Sequence, residues 1–166
     1  MDSFKHAQGI ETESKAMIIP HILERYDGKL VEDLSEDDIG IQRQMAGQGD
    51  IIICTKGGDL LSFELKADKT KWPNIFVEEW SNKSTKRKGW LHSLKADKLV
   101  YHRVLFDEYY EFDWKKFQKW AKTNASKYPL KPQGKYVQDN DAWGYCVPII
   151  ELLKVEKTVG MTRHKL

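Results

Sequence analysis

The sequence predicts an α/β fold in a single domain, residues 1–166, with a central mixed β-sheet flanked by helices. The length of 166 residues is that of one ordinary domain, and 40% apolar with 31% charged residues is a globular balance. Two apolar runs, residues 50–54 and 60–66, flank a turn that contains Gly57 and Gly58, and they predict a β-hairpin. Because both runs are apolar nearly throughout, we expect helices to cover both faces of the sheet.

The elements around this hairpin follow the coarse order α-β-β-β-α-β-α-β. Residues 11–26 have helical periodicity, and Pro20 within them predicts a kink or a new turn. Residues 35–49 are polar and are predicted to be irregular. Asp113 is the expected N-cap of a helix over residues 113–122. The apolar face of the first helix comprises Ala16, Ile19, Ile22, Leu23 and Tyr26. Further strands are predicted at residues 29–34, 74–80, 99–106 and 145–150, and a short helix after Gly89.

The net charge of +2 conceals an uneven distribution of charged residues. Residues 1–64 carry 6 basic and 13 acidic groups, whereas residues 65–103 carry 10 basic and 4 acidic groups. The densest basic stretch is residues 83–88, here called the basic loop, and Trp90 follows it closely. Mobile cations beside an aromatic side chain are typical of nucleic-acid contacts, and a solvated turn is the alternative interpretation.

The chain carries no pattern that would direct it out of the cytosol. Residues 1–15 lack a basic segment followed by an apolar stretch, and no apolar run approaches the ~20 residues of a membrane helix. We therefore expect a cytoplasmic protein, in a bacterium or a phage-infected host, without a membrane partner. The five histidines show no paired ligand spacing, so a zinc site is not expected.

The hairpin carries a candidate set of catalytic residues, Asp50, Glu64 and Lys66. Phosphodiester hydrolysis needs hard oxygen ligands for a divalent metal and a cation or base near the attacking water. Glu64 and Lys66 are two residues apart on one strand and therefore share a face. Asp50 lies beside Glu64 on that face if the two strands of the hairpin pair so that the residue numbers of each facing pair add up to 114. This register requires a three-residue loop at residues 56–58. A two-residue Gly57-Gly58 loop would instead send the two carboxylates to opposite faces, and the sequence permits both registers.

These residues resemble the motif of the PD-(D/E)XK nuclease superfamily. Gly49-Asp50, an apolar strand, a glycine turn and Glu64-Leu65-Lys66 follow the order of that motif, and the resemblance extends over residues ~11–106. It implies a restriction-endonuclease-like fold. It also implies that Asp50, Glu64 and the backbone carbonyl of Leu65 bind Mg²⁺, for which Mn²⁺ can substitute, and that Lys66 orients or activates the water. Gly49 stands where the family motif has proline.

Many of these nucleases add a metal-binding glutamate from the first helix, and this chain offers two candidates. Glu13 and Glu24 are 11 residues apart, close to three helical turns, and lie on one side of an unbroken helix. Glu13 is the preferred catalytic and metal-binding residue because it precedes the apolar run, whereas Glu24 lies beyond Pro20. Each is a solvated helix carboxylate in the alternative interpretation.

Contacts with DNA are predicted next to this centre. The expected contact residues are Lys83, Lys86, Arg87 and Lys88 for phosphates, Trp90 for stacking on a base, and Ser81 for a phosphate or a metal-bound water.

The resemblance implies a metal-dependent deoxyribonuclease with no small-molecule cofactor besides the metal. The small size and the lack of an obvious sequence-reading segment favour a structure-directed role in recombination or repair, as in a Holliday-junction resolvase or a phage nuclease. A resolvase would need two active sites and hence a homodimer. The alternatives are a catalytically idle nuclease fold that binds DNA or a partner protein, and a restriction-type enzyme.

Overall fold

The computed structural model describes residues 2–35, 38–133 and 141–166. The helices are α1 Asp2–Arg25, α2 Asp38–Met45, α3 Trp90–Ser93, α4 Trp114–Asn124, α5 Ile149–Leu153 and α6 Glu156–Val159, with 3₁₀ turns at Val104–Phe106 and Ala125–Lys127. The strands are β1 Lys29–Asp33, β2 Ile51–Cys54, β3 Leu60–Asp68, β4 Asn74–Asn82, β5 Arg87–Lys88, β6 Lys98–Arg103, β7 Glu108–Asp113, β8 Leu130–Pro132, β9 Trp143–Pro148 and β10 Met161–Lys165. Within these ranges, no helix is long and apolar enough to cross a membrane.

The strands form two sheets. The central sheet has six strands in the order β1-β2-β3-β6-β7-β10, and it is mixed because β3 and β6 run parallel while the other pairs are antiparallel. The second sheet has four antiparallel strands in the order β5-β4-β9-β8. The predicted α/β class and mixed central sheet are thus confirmed. The prediction that helices cover both faces of one sheet is wrong. The strands β4 and β9 belong to the second sheet, which packs against one face of the central sheet.

Helix α1 covers one face of the central sheet. Ile18 and Ile22 are fully buried against Phe63, Val100 and neighbouring apolar side chains. The predicted helix face is confirmed at Ile22, which is buried, and at Ile19, Leu23 and Tyr26, which pack against the same cluster. Ala16 is exposed instead, and the buried stripe also includes Ser14 and Ile18.

The helix also begins earlier than predicted and continues through Pro20. Proline has no backbone N–H, so Pro20 cannot donate a hydrogen bond to the carbonyl of Ala16, four residues earlier. Both residues are exposed. Water can therefore satisfy that carbonyl, which lowers the cost of the proline.

The opposite face of the central sheet packs against the second sheet and α3 to α6. Leu99, Tyr101 and Phe112 on the central sheet belong to one apolar cluster with Ile75 and Val77 of β4. Parallel pairing places Glu64 opposite Leu99 and Lys66 opposite Tyr101, so both charged side chains are directed to this same face. The predicted chemical residues therefore lie where the two sheets meet.

The hairpin has the register that brings the carboxylates together. Ile51 faces Phe63 and Cys54 faces Leu60, so that each pair of residue numbers adds up to 114. The loop closes between Thr55 and Asp59, whose backbone amide and carbonyl are 2.9 Å apart, with three residues between them. The three-residue loop is therefore confirmed, and the alternative Gly57-Gly58 register is not adopted.

Residues 35–49 were predicted to be irregular, but they contain helix α2. Ile39 is 70% exposed, so no apolar stripe marks the helix in the sequence. Polar contacts hold it instead, since Arg43 forms an ion pair of 2.5 Å with Glu32 on β1 and Gln44 hydrogen-bonds Asp50. At Gly40 the helix passes so close to the Leu34 carbonyl that a Cβ atom would lie 2.7 Å from its oxygen.

Candidate active site

Asp50 lies at the point where β2 begins, and its carboxylate is buried, with 2% exposure. Its Oδ2 atom accepts a hydrogen bond of 2.6 Å from the backbone amide of Leu65, and its Oδ1 atom accepts one from the Gln44 side chain. The Asp50 amide donates to the carbonyl of Phe63 at 2.7 Å, so the regular pairing of the two strands stops at Ile51. The carboxylate therefore takes the place that a backbone acceptor of β2 would have occupied beside β3.

Gly49 is required by this arrangement, in which a proline would not fit. Its φ is +97°, a conformation that the ring of proline forbids. A Cβ atom at Gly49 would also lie 2.6 Å from the carbonyl oxygen of Phe63. The backbone can turn into Asp50 in this way because the residue has no side chain.

Glu64 and Lys66 form a close ion pair on β3. The Lys66 Nζ atom lies 2.5 Å from Oε1 of Glu64, whose side chain is 11% exposed. Burial raises the pKa of Glu64, and the charges of Asp50 and Glu11 raise it further, while Lys66 opposes them. Burial alone would lower the pKa of Lys66, but the charges of Glu64, Asp50 and Glu11 outweigh it and raise that pKa, so the ammonium is held ionised.

The helix carboxylate that interacts with this pair is Glu11. Its charge raises the pKa values of both Glu64 and Lys66. Glu11 is exposed, but it is seven residues before Ile18 and therefore lies on the side of α1 that faces the sheet. Counting back from Ile18 by one heptad would have found it in the sequence.

Glu13 and Glu24, the sequence-derived candidates, lie elsewhere on α1. Glu13 has a 74% exposed side chain, and its Oε2 atom is 3.7 Å from Nζ of Lys69. Glu24 is exposed near the end of the helix. Two residues of helix turn the side chain by roughly 200°, so Glu13 is directed away from the face that carries Glu11.

Three other contacts, made by Ser14 and Lys15, fix the part of α1 that carries Glu11. The hydroxyl of Ser14 lies 2.7 Å from Nδ1 of buried His102 on β6. Lys15 lies 3.4 Å from Asp33 and 4.0 Å from Asp50. These contacts tie the helix to both β6 and the Asp50 carboxylate.

Glu78 on β4 is a further acidic residue of the site that the sequence did not single out. Its Oε1 atom accepts a hydrogen bond of 3.1 Å from the backbone amide of Trp90. Burial raises the pKa of Glu78, whereas that hydrogen bond and the charges of Lys66 and Arg87 lower it. Lys66 therefore interacts electrostatically with Glu64 on its own strand and with Glu78 on the second sheet.

The residues present fit a hard divalent cation such as Mg²⁺. Asp50 and Glu64 supply two buried carboxylates, and the charge of Glu11 acts on Glu64 from α1. Burial, with the charges of Asp50 and Glu11, raises the pKa of Glu64. The Leu65 carbonyl points to the same side of β3 as its amide, toward Asp50. Among the described residues, no three His, Cys, Asp or Glu side chains form a ready metal cage. Mg²⁺ does not need one, because it is commonly held by one or two carboxylates with water and substrate phosphate.

The basic loop joins β4 to β5 and presents its cations in two ways. The Lys83 ammonium lies 3.6 Å from the ring centre of Trp143, and that of Lys88 lies 3.8 Å from that of Trp80. Lys86 and Arg87 are exposed. The four cations therefore lie on one exposed hairpin, two of them held against aromatic rings.

The two other predicted DNA contacts are engaged within the protein. Trp90 is half-buried and packs against Trp114, with ring centres 5.7 Å apart. The hydroxyl of Ser81 donates to the Lys88 carbonyl at 3.0 Å, inside the β4-β5 hairpin. The Trp90 ring is therefore packed within the protein and is not a free aromatic side chain beside the basic loop.

No protein-family model, curated protein or solved structure matches the chain. The hydrogen bonds and charges around Asp50, Glu64 and Lys66 are the observations on which a function can be proposed.

Proposed function

We propose that the chain is a metal-dependent deoxyribonuclease with a restriction-endonuclease-like PD-(D/E)XK centre. The observation that carries the proposal is the proximity of the buried Asp50 carboxylate, at the start of β2, to the close Glu64–Lys66 ion pair on the neighbouring strand β3. Burying two carboxylates close together costs free energy, even beside the partly exposed Lys66 ammonium, and perturbed pKa values in such a place favour a chemical role.

Each residue has a distinct role in this proposal. Asp50 and Glu64, with the Leu65 carbonyl, would hold Mg²⁺, and Mn²⁺ could replace it. When bound, the metal neutralises charge on the phosphate and lowers the pKa of a water molecule. Gln44 and the Leu65 amide hydrogen-bond the Asp50 carboxylate and fix its orientation, so the carboxylate is preorganised before the substrate binds.

Lys66 would position the attacking water and stabilise the negative charge that develops on the phosphate. Its pKa is raised by the surrounding carboxylates, so it acts as a permanent cation and donor rather than as a proton acceptor. The charge of Glu11 on α1 favours the ionised form of Lys66, and the Lys66 charge in turn lowers the pKa of Glu78 on β4. Lys66 therefore needs no proton exchange to do this work.

The substrate proposed is DNA at a structured site, as in recombination or repair. The basic loop supplies exposed cations, which suit phosphate contacts, and phosphate contacts carry no sequence information directly. A junction-resolving enzyme would act as a homodimer, and a phage-type nuclease is the other form of this proposal.

The decisive experiment is incubation of the protein with supercoiled, linear, single-stranded and four-way-junction DNA, with and without Mg²⁺. We expect cleavage of at least one substrate in Mg²⁺ and none in chelator, with loss of cleavage in Glu64→Gln. Binding of DNA without cleavage of any substrate would contradict the proposal and favour an idle nuclease fold.

A further inference from the structure

A cavity of about 450 Å³ lies between the two sheets and opens beside Lys66. Its walls come from the end of β3, from β4 and β6 and from β8 and β9, and Lys66 is one of its lining residues. Cavities of this size are typical of sites for a small organic group. The cavity is therefore continuous with the proposed cutting centre and large enough for part of a substrate.

The cavity has aromatic walls. Trp72, Phe76 and Trp90 line it. Trp72 is 71% exposed, which is unusual for the largest apolar side chain, and its backbone carbonyl lies 3.5 Å from the Arg103 guanidinium. Trp90 is fixed from behind by Trp114. An exposed indole and a fixed one that line the same cavity with an apolar ring offer surfaces on which a flat aromatic group can stack.

The polar groups of the cavity suit a nucleotide. The side-chain amides of Asn74 and Gln133 can both donate and accept, as hydrogen bonding to the edge of a base requires. Lys131 and Lys66 supply positive charge at the walls. The acidic lining residue Asp68 already accepts hydrogen bonds from the Tyr101 hydroxyl at 2.9 Å and the Thr70 amide at 2.6 Å.

We propose that this cavity receives one unstacked nucleobase of the substrate strand, next to the phosphate held at Lys66. The inference rests on the proposed nuclease function and adds a substrate class to it. A base inside an intact duplex cannot reach the cavity without leaving its stack, which costs a few kcal/mol and least for an unpaired nucleotide. The protein thus acts at single-stranded, frayed or flapped DNA in preference to continuous duplex.

The first test measures binding of a fluorescein-labelled single-stranded oligonucleotide in chelator, where no cleavage occurs. Trp72→Ala should weaken binding by about fivefold or more, the lower end of what alanine costs at a stacking aromatic. Trp72→Phe should retain most of the affinity because it keeps a ring. Leu60→Ala is the matched control, since Leu60 is 63% exposed and lies at the other end of β3.

The second test measures cleavage in Mg²⁺ of a blunt duplex and of the same duplex with frayed ends. The parent protein should prefer the frayed duplex, and Trp72→Ala should lose that preference. Equal single-strand affinity in Trp72→Ala and the parent, or an unchanged preference, overturns the inference while cleavage itself keeps the proposed function. Absence of all cleavage together with Trp72-dependent binding overturns the proposed function and supports the cavity as a nucleobase site.

Discussion

The side chain of Asp50 hydrogen-bonds the backbone amide of Leu65, with 2.6 Å between Oδ2 and nitrogen. This contact couples the strand that supplies the first carboxylate to the middle residue of the Glu64-Leu65-Lys66 motif. Asp50 therefore has a structural role in addition to its proposed chemical role, and different substitutions of Asp50 separate the two.

Asp50→Asn should abolish cleavage and leave the fold nearly as stable as the parent. The amide oxygen still accepts from Leu65, and the Gln44 side chain can turn its oxygen toward the new NH₂ group, while the negative charge is lost. Asp50→Ala should abolish cleavage and also lower the free energy of unfolding by about 1–3 kcal/mol, the cost of a buried amide without a partner. Chemical denaturation and a cleavage gel check both. Asp59→Asn, in the exposed hairpin loop, is the control and should change neither. Normal cleavage by Asp50→Asn would remove Asp50 from the metal site.

Mg²⁺ should stabilise the parent protein against unfolding as well as support cleavage. A ligand that binds the folded chain alone raises the free energy of unfolding by about 2.7 kcal/mol at 100 times its dissociation constant. We expect the thermal midpoint to rise with Mg²⁺ in the parent and to stay unchanged in the Asp50→Asn, Glu64→Gln double variant. A rise of the same size in both proteins would place the cation elsewhere.

Glu64 should make stability depend on pH in a characteristic direction. Because its pKa is raised in the folded protein above the ordinary 4.5, the folded state binds more protons in the window above that value. The contribution of Glu64 to stability is therefore largest below pH 4.5 and declines as the pH rises through its folded pKa.

Glu64→Gln removes this titration, so its free energy of unfolding relative to the parent should increase from about pH 4.5 toward neutral pH. Urea unfolding at a series of pH values measures the difference, and Glu24→Gln on exposed helix surface is the control. A constant difference across the series would contradict the assignment. Mg²⁺ should reduce the effect, since the cation favours the ionised carboxylate.

Glu11→Gln should reduce cleavage more than Glu13→Gln. Of these two glutamates, Glu11 is the one whose charge acts on Glu64 and Lys66, whereas Glu13 pairs with Lys69 at the surface. Initial rates at limiting Mg²⁺ provide the comparison, because a lost ligand or charge affects metal affinity first. The reverse order would restore Glu13 as the helix carboxylate.

The sequence predicted the hairpin well because the relevant signals are local. The loop between Thr55 and Asp59 and the N-cap at Asp113, which accepts from the Lys116 amide, both depend on neighbouring residues. The placement of Asp50 beside Glu64 then follows from strand register. Glu64 and Lys66 could be assigned to one face for the same reason.

The parts that the sequence did not predict depend on distant contacts. Strand β7 contains Glu108 and Glu111, which the sequence alone would place at the surface but which are buried. Arg163 lies 2.6 Å from Glu108, and Arg25 lies 2.6 Å from Glu111. Those partners are 55 and 86 residues away, respectively. Glu78 joins the site for a similar reason, because β4 belongs to the second sheet and approaches Lys66 only through tertiary packing.

The basic loop should determine the salt dependence of DNA binding without determining the chemistry. Each phosphate neutralised by a cation adds a log–log slope of about −0.7 to −0.9 against salt. Replacing Lys83, Lys86, Arg87 and Lys88 by alanine should therefore flatten the slope by about three units, which binding titrations at several salt concentrations would measure.

A control variant with the same change in charge is available on α4, where Lys115, Lys116, Lys119 and Lys122 are all exposed. Replacing these four residues should leave the slope near that of the parent. Because the carboxylates of the proposed centre are untouched in the loop variant, saturating DNA should largely restore its cleavage rate, as expected when uniform binding is lost. A slope unchanged in the loop variant and flattened in the α4 variant would move the DNA path from the basic loop to α4.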